Sequence, residues 1–117
     1  MIAGPDMTDT IQGFYKAAFE TARKKSHGVI FLRDGKIQGG DSTFLYVGAY
    51  SQSGVTVTGH LRGIRHSSDH SRMSVFGIEP FDVTFDGVAK DGYVAIEGYA
   101  RETPGLPMKA LLTRVED

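Results

Sequence analysis

The sequence predicts an all-β protein, a small antiparallel up-and-down barrel of about seven or eight strands. Three observations indicate this class. Short segments with alternating apolar and polar residues recur at regular spacing, as is typical of barrels. Turn dipeptides separate these segments, and fifteen glycines against four prolines suit tight turns better than helices. A chain of 117 residues is long enough to bury one core, so we expect a single barrel domain over 11–117.

The stretch 29–41 shows how such a barrel turns its corners. An apolar run ends at Asp34-Gly35, and Asp-Gly suits a type I′ hairpin turn because both central residues need positive φ. The chain then resumes as strand and meets Gly39-Gly40-Asp41, where paired glycines permit a bulge or a sharp bend. We expect the Asp41 carboxylate to accept backbone N–H groups in this corner rather than to act as a catalytic acid.

The segment 13–25 allows two interpretations. Ala17, Ala18 and Ala22 are compatible with a helix, whereas Gly13-Phe14-Tyr15 is typical of the start of a strand. We predict a strand, followed by a turn over 22–27.

The segment 43–50 predicts a strand that is apolar on both faces. A barrel wall has one inward face, so the second apolar set must be covered. We therefore predict a homodimer, the commonest symmetric solution, in which the interface is formed by Leu45, Val47 and Ala49. The alternative is that the segment 1–10, which we interpret as a flexible leader, or the polar segment 63–74 folds across that face.

The remaining strands follow from turn signals. The sequence predicts a hairpin loop at 51–54, a half-buried strand at 55–62 and a strand at 81–85. Asp86-Gly87 and Asp91-Gly92 are interpreted as second and third hairpin turns on either side of a short edge at 88–90. Strands at 93–101 and 108–115, joined by a turn at 103–107, close the sheet.

Composition narrows the function classes. The chain has no cysteine, which excludes disulfides and favours a reducing, cytoplasmic compartment. No apolar run approaches the roughly 20 residues of a membrane helix. A net charge of −1 with interspersed signs argues against nucleic-acid and membrane partners.

The polar segment holds one cluster that resembles a metal site. His66, Asp69 and His70 lie within five residues, but metal-binding histidines usually sit on a rigid element and this segment is a predicted loop. We interpret it as a solvated loop and predict no metal and no cofactor. Serine-nucleophile, phosphate-loop and dinucleotide motifs are absent from the sequence, so we predict no catalytic residue and a protein that is not an enzyme.

Several of these segments together are similar to the GrlR family of small bacterial proteins, which includes a negative regulator of type III secretion in attaching-and-effacing enteric bacteria. The likeness extends over most of 13–99. Its motifs are Gly13-Phe14-Tyr15, the segment 28–41, Tyr46-Val47-Gly48, Ser74-Val75-Phe76-Gly77 and the segment 81–87.

The resemblance implies a calycin-type, lipocalin-like barrel, usually dimeric, and inhibition by binding a transcriptional activator. In that regulator, four acidic residues after the Tyr-x-Gly strand make the activator contact. The matching hairpin here has no acid, so the activator-binding role does not carry over residue by residue.

Two functions remain open. The first is a regulatory or adaptor barrel that binds a protein partner through the hairpin residues Ser51, Gln52, Ser53 and Gly54. The alternative is a carrier or sensor of a small apolar ligand such as a lipid, since small barrels either fill with side chains or hold one ligand. A metal-assisted enzyme using the 66–70 loop is the weakest reading.

Overall fold

The computed structural model describes residues 10–68, 73–77 and 79–116 and is a closed barrel of eight antiparallel strands. Each strand pairs with its neighbours in the chain, and β8 closes the barrel on β1. This confirms the predicted all-β, up-and-down class and is consistent with a small calycin- or lipocalin-like barrel. The strands are β1 (Gly13–Glu20), β2 (Lys25–Arg33), β3 (Lys36–Gly40), β4 (Phe44–Ser53), β5 (Thr56–Arg65), β6 (Phe81–Lys90), β7 (Tyr93–Ala100) and β8 (Pro107–Glu116). Among the described residues no helix is long and apolar enough to cross a membrane.

Alternation along each strand builds the core. On β4, Phe44 and Tyr46 point inward and are buried, whereas Leu45 and Val47, which alternate with them, are exposed. The same two-residue period on every strand sends apolar side chains into one continuous cluster. Burying each large apolar side chain contributes roughly 1.5–3 kcal/mol, so this inward set supplies most of the drive to fold.

The hairpin turn predicted at Asp34-Gly35 is confirmed. Asp34 and Gly35 have φ of 52° and 79°, as a type I′ turn between β2 and β3 requires. Gly92, with φ of 81°, lies in the turn between β6 and β7 at the same end of the barrel. The prediction of a strand at the start of the segment 13–25 is also confirmed, since β1 spans Gly13–Glu20.

Three predicted turns are wrong. Asp86-Gly87 is not a hairpin, because β6 continues through it to Lys90 and pairs with β5 and β7 on both sides. The 51–54 loop is shorter than predicted, since β4 runs to Ser53 and the turn consists of Gly54 and Val55. Strand β2 already begins at Lys25, so the turn after β1 occupies 21–24 rather than 22–27.

One end of the barrel, which we call the hairpin end, carries the turns at 34–35, 54–55 and 91–92 and is plugged by Ile11. This side chain is 3% exposed and belongs to the core cluster. Its N–H donates to Gln52 Oε1 at 3.1 Å, and its carbonyl accepts from the Tyr15 hydroxyl at 2.8 Å. Arg114 donates to the carbonyl of Gln12 at 2.7 Å, which fixes the plug against β8.

The opposite end, the cap end, is closed by Val75 and Phe76 in the long connection between β5 and β6. Both side chains are buried, and the Phe76 ring lies 5.1 Å from that of Phe81. The Thr21 hydroxyl donates to the Val75 carbonyl at 2.5 Å, and Lys24 Nζ donates to the Met73 carbonyl at 2.8 Å. The described part of this connection therefore covers an end of the barrel.

Candidate functional site

The outer wall of β2, β4 and β5 carries the candidate site, a group of exposed apolar side chains that we call the β4 face. Strand register places these side chains side by side. Val29, Leu45 and Ile64 share one cross-strand row through Gly40, and Phe31 and Val47 share the next row through Gln38. Phe14 on β1 extends the second row, with its ring centroid 6.1 Å from that of Phe31. The β4 face consists of Val29, Phe31, Leu45, Val47 and Ile64.

The predicted dimer residues all lie on this outer wall. Leu45 and Val47 are 47% and 43% exposed, and Ala49 is half-buried one row further along β4. Gly40 has no side chain between Val29 and Leu45, and Leu45 Cδ2 lies 3.6 Å from the position that a Cβ would take there. Within the described part of the chain, the 63–74 segment does not cover this face, and positions 1–9 lie outside the described residues. The homodimer itself stays a prediction.

Sequence reasoning missed the other members of this face. Val29 and Phe31 are outward residues of β2, and Ile64 is an outward residue of β5. Their alternation was visible in the sequence, but their adjacency to Leu45 and Val47 depends on strand register. A search for apolar residues on the outward phase of each strand would have found them.

The charged side chains that point outward from β2 to β5 are all basic. The outward residues of β2 to β5, all within the described residues, include Arg33, Lys36 and Arg62 but no aspartate or glutamate. Arg33 and Lys36 lie directly opposite each other in register, and the Arg33 guanidinium stacks 5.3 Å from the centre of the Phe31 ring. Arg62 differs, because it is paired with Asp82 of β6 at 3.1 Å.

One residue of the predicted partner hairpin, Gln52, also has a structural role. Gln52 uses its side-chain carbonyl to hold the Ile11 N–H, and its side-chain N–H donates to the Gly54 carbonyl at 2.9 Å. Ser51, Ser53 and Gly54 are exposed around it at the hairpin end. The hairpin therefore lies beside the Ile11 plug, and its exposed surface is formed mainly by Ser51, Ser53 and Gly54.

The glycine corner is built as the sequence predicts. Asp41 Oδ1 accepts the N–H groups of Thr43 and Phe44 at 2.8 and 2.7 Å. The other carboxylate oxygen accepts the hydroxyl proton of buried Tyr46. Burial, and then the contact with the Asp41 carboxylate, raise the pKa of Tyr46 far above its ordinary value. Gly39 and Gly40 are required because a Cβ on either would approach a neighbouring backbone oxygen within 3 Å.

Of the predicted cluster of His66, Asp69 and His70, the structure describes His66. His66 lies at the end of β5, where its Nε2 is 2.9 Å from the Asp41 carbonyl oxygen. Asp69 and His70 lie outside the described residues. Within the ranges that the structure describes, no group of three or more histidine, cysteine or acidic residues is placed to hold a metal ion.

The barrel interior leaves little room for a ligand. Its apolar cavity, lined by residues such as Ile11, Phe85 and Met108, has a volume of about 40 Å³. A larger pocket of about 340 Å³ opens at the cap end, where its rim includes Lys24 and Met73 and its wall includes the inward side chains of Phe19, Leu61 and Val83. Drug-sized ligands occupy pockets of about 300–1,000 Å³, so the enclosed apolar cavity is too small for one, whereas the cap-end pocket reaches the lower limit of that range.

No protein-family model matches the chain, and no curated protein matches it at a significant level.

Proposed function

We propose that this chain is a non-enzymatic, cytoplasmic regulatory or adaptor protein that acts by binding another protein through the β4 face. One observation carries the proposal. Five large apolar side chains are exposed together on one side of a barrel whose inward residues already form a complete core. Contiguous apolar surface of this kind is typical of interaction sites on soluble proteins.

The filled interior supports binding on the outside rather than transport inside. A lipid-carrying barrel needs a cavity of several hundred cubic ångströms, whereas the enclosed cavity here has about 40 Å³ and the pocket at the cap end, at about 340 Å³, only reaches the lower limit for a drug-sized ligand. We therefore rank the apolar-ligand alternative second. Native mass spectrometry of the purified protein, with and without organic extraction, tests that alternative directly.

The β4 face also fits a protein contact better than the 51–54 hairpin does. The hairpin offers small polar residues, and its largest side chain, Gln52, already bonds to the plug. Aromatic and large aliphatic anchors such as Phe31 and Leu45 contribute most of the binding energy in protein interfaces. The hairpin is a secondary contact in this proposal, and the GrlR resemblance supplies its regulatory character.

Affinity capture from the native bacterium tests the proposal. Wild-type protein, Val47→Asp and the control Thr84→Asp, an outward substitution on β6, are expressed at the native level with the same tag. We expect a defined partner, other than this chain, to be retained by the wild type and the control and lost with Val47→Asp. Circular dichroism establishes that all three are folded. Retention of every partner by Val47→Asp contradicts the proposal, as does the absence of a partner from all captures.

A further inference from the structure

The side of the barrel opposite the β4 face carries a second apolar row, which we call the β8 face. It consists of Val88, Ala95 and Leu111, which are consecutive partners on β6, β7 and β8. Val88 and Leu111 are 42% and 45% exposed. Because Ala95 and nearby Gly87 are small, a shallow groove of about 500 Å³ follows this row. In an eight-stranded barrel β8 lies four strands from β4, so the two faces point in opposite directions.

The two faces carry cross-strand charge pairs of opposite sign. Arg33 lies opposite Lys36 beside the β4 face, and Asp86 lies opposite Glu97 beside the β8 face. Like charges directly opposite each other destabilise a sheet. Among the described residues none of these four side chains forms an ion pair, although Lys109 is the register partner of Glu97 on β8. No ion pair within the described barrel therefore neutralises either pair, although Asp34 adjoins Arg33 in the chain and Lys109 lies beside Glu97.

Each charge pair lies one step along the strands from an apolar row. Arg33 and Lys36 are two residues from Phe31 and Gln38, and Asp86 and Glu97 are two residues from Val88 and Ala95. Two residues of a strand span about 6.8 Å, so the spacing between charge and apolar row is the same on both faces. The β4 face protrudes because its side chains are large, whereas the β8 face is recessed around Ala95 and Gly87.

We infer that this chain self-associates head to tail, with the β4 face of one copy packed on the β8 face of the next. Phe31 and Val47 enter the groove along Val88, Ala95 and Leu111. Arg33 and Lys36 then meet Asp86 and Glu97, and both like-charge pairs are neutralised. The occupant of the β4 face in the purified protein is therefore a second copy of this chain.

The order of the rows fixes the orientation of neighbouring copies. On the β4 face the charge pair is closer to the hairpin end than the apolar row, and on the β8 face it is closer to the cap end. Both kinds of row are matched only when the barrel axes of adjacent copies run antiparallel.

A two-fold contact of the β4 face with itself is disfavoured by charge. It would bring Arg33 and Lys36 of both copies onto one interface, and the outward residues of β2 to β5, all described, supply no acid to offset them. A contact between opposite faces instead leaves one free face at each end. Such heterologous contacts grow into chains or close into larger rings rather than stopping at two copies.

The inference shares the β4 face with the proposed function, and self-association therefore competes with partner binding. The two fail separately, because self-association is measured on the purified protein alone, whereas partner binding is measured by capture from cells.

Dead-end variants test the inference by sedimentation velocity from low micromolar to near-millimolar concentration. Val47→Asp blocks the β4 face, and Leu111→Asp blocks the β8 face. We expect the wild type to form species larger than a dimer, each variant alone to be a monomer, and an equimolar mixture of the two to form a 1:1 dimer. Gly105→Asp, in the exposed turn after β7 with open space around its Cβ, is the control and should behave as the wild type.

Charge exchange provides a second measurement that does not depend on the apolar substitutions. Arg33→Glu/Lys36→Glu and Asp86→Lys/Glu97→Lys should each be less associated than the wild type, and mixing them should restore association. Wild-type protein that is monomeric at every concentration overturns the inference. So does a mixture of Val47→Asp and Leu111→Asp that stays monomeric. A dimer lost with Val47→Asp but unaffected by Leu111→Asp would show the two-fold arrangement instead.

Discussion

The two sides of the barrel wall are alike inside and different outside. Inward, β4 contributes Phe44 and Tyr46 and β8 contributes Met108, Ala110 and Leu112, all buried in one core. Outward, the β4 side carries large apolar residues with a basic rim, whereas the β8 side carries a recessed apolar row beside Asp86 and Glu97. The difference shows that alternate residues of one strand have separate tasks. The inward phase determines the fold, and in our proposal the outward phase determines association.

The largest expected effect separates these two phases on adjacent residues of β4. Tyr46→Ala should lower the free energy of unfolding by about 3–5 kcal/mol, because it empties a buried aromatic site. Val47→Ala should change it by no more than about 0.5 kcal/mol, because the side chain is exposed. Urea denaturation at a concentration where both proteins are monomeric measures the difference. Equal losses would mean that the outer wall also stabilises the fold.

Asp41 holds the glycine corner before β4, and replacing it measures how much this corner contributes to the stability of the barrel. Asp41→Ala removes the acceptor of two backbone N–H groups and of the buried Tyr46 hydroxyl. We expect a loss of about 1–3 kcal/mol in the free energy of unfolding. Asp91→Ala, in the turn between β6 and β7, is the matched control and should have a much smaller effect. A similar loss in both variants would argue that any turn aspartate serves equally.

The same corner predicts a pH dependence at high pH. Burial raises the pKa of Tyr46 in the folded state, so above a pH of about 10 the unfolded chain releases a proton that the folded barrel retains. Stability contributed by this group is complete below that pH and falls as the pH rises, by at most about 1.4 kcal/mol per unit. Unfolding free energies of wild type and Tyr46→Phe, measured from pH 8 to 11, should diverge. Parallel curves would refute the assignment to Tyr46.

The smallest effect concerns the like-charge pairs of the two faces. Lys36→Glu places a carboxylate opposite Arg33, and Asp86→Lys places an ammonium opposite Glu97. Each should stabilise the isolated barrel by about 0.2–1 kcal/mol. Thermal unfolding of dilute protein, at low and high salt, measures the gain, which salt should reduce. Destabilisation by either substitution would show that the existing pair is already neutralised within its own copy.

Local chemistry explains which elements were predictable. The Asp34-Gly35 turn was correctly predicted because positive φ at both positions is a property of those two residues alone. The bonds from Asp41 to the backbone of Thr43 and Phe44 were predictable for the same reason, since all partners lie within three residues. The outward position of Leu45 and Val47 on β4 was predicted from alternation.

Long-range pairing explains the errors. Asp86-Gly87 has the composition of a hairpin turn, but strand pairing on both sides keeps it extended, and a Cβ on Gly87 would lie 2.4 Å from the Ala95 carbonyl oxygen. That glycine is required by a close approach of two strands, which the sequence does not display. The bond between the Ile11 N–H and Gln52 was missed for the same reason, because it spans 41 residues of chain.

The sequence by itself determined the all-β class, the two-residue period of the strands and the position of the tightest turns, because these depend on side chains within a few residues of one another. Only the tertiary structure decided what the strands present together. Closure of β8 on β1 gave the barrel two opposite outer faces, and register gathered Val29, Phe31 and Ile64 beside Leu45 and Val47. Register is a relation between distant segments, and a shift of one residue would turn every one of these side chains inward.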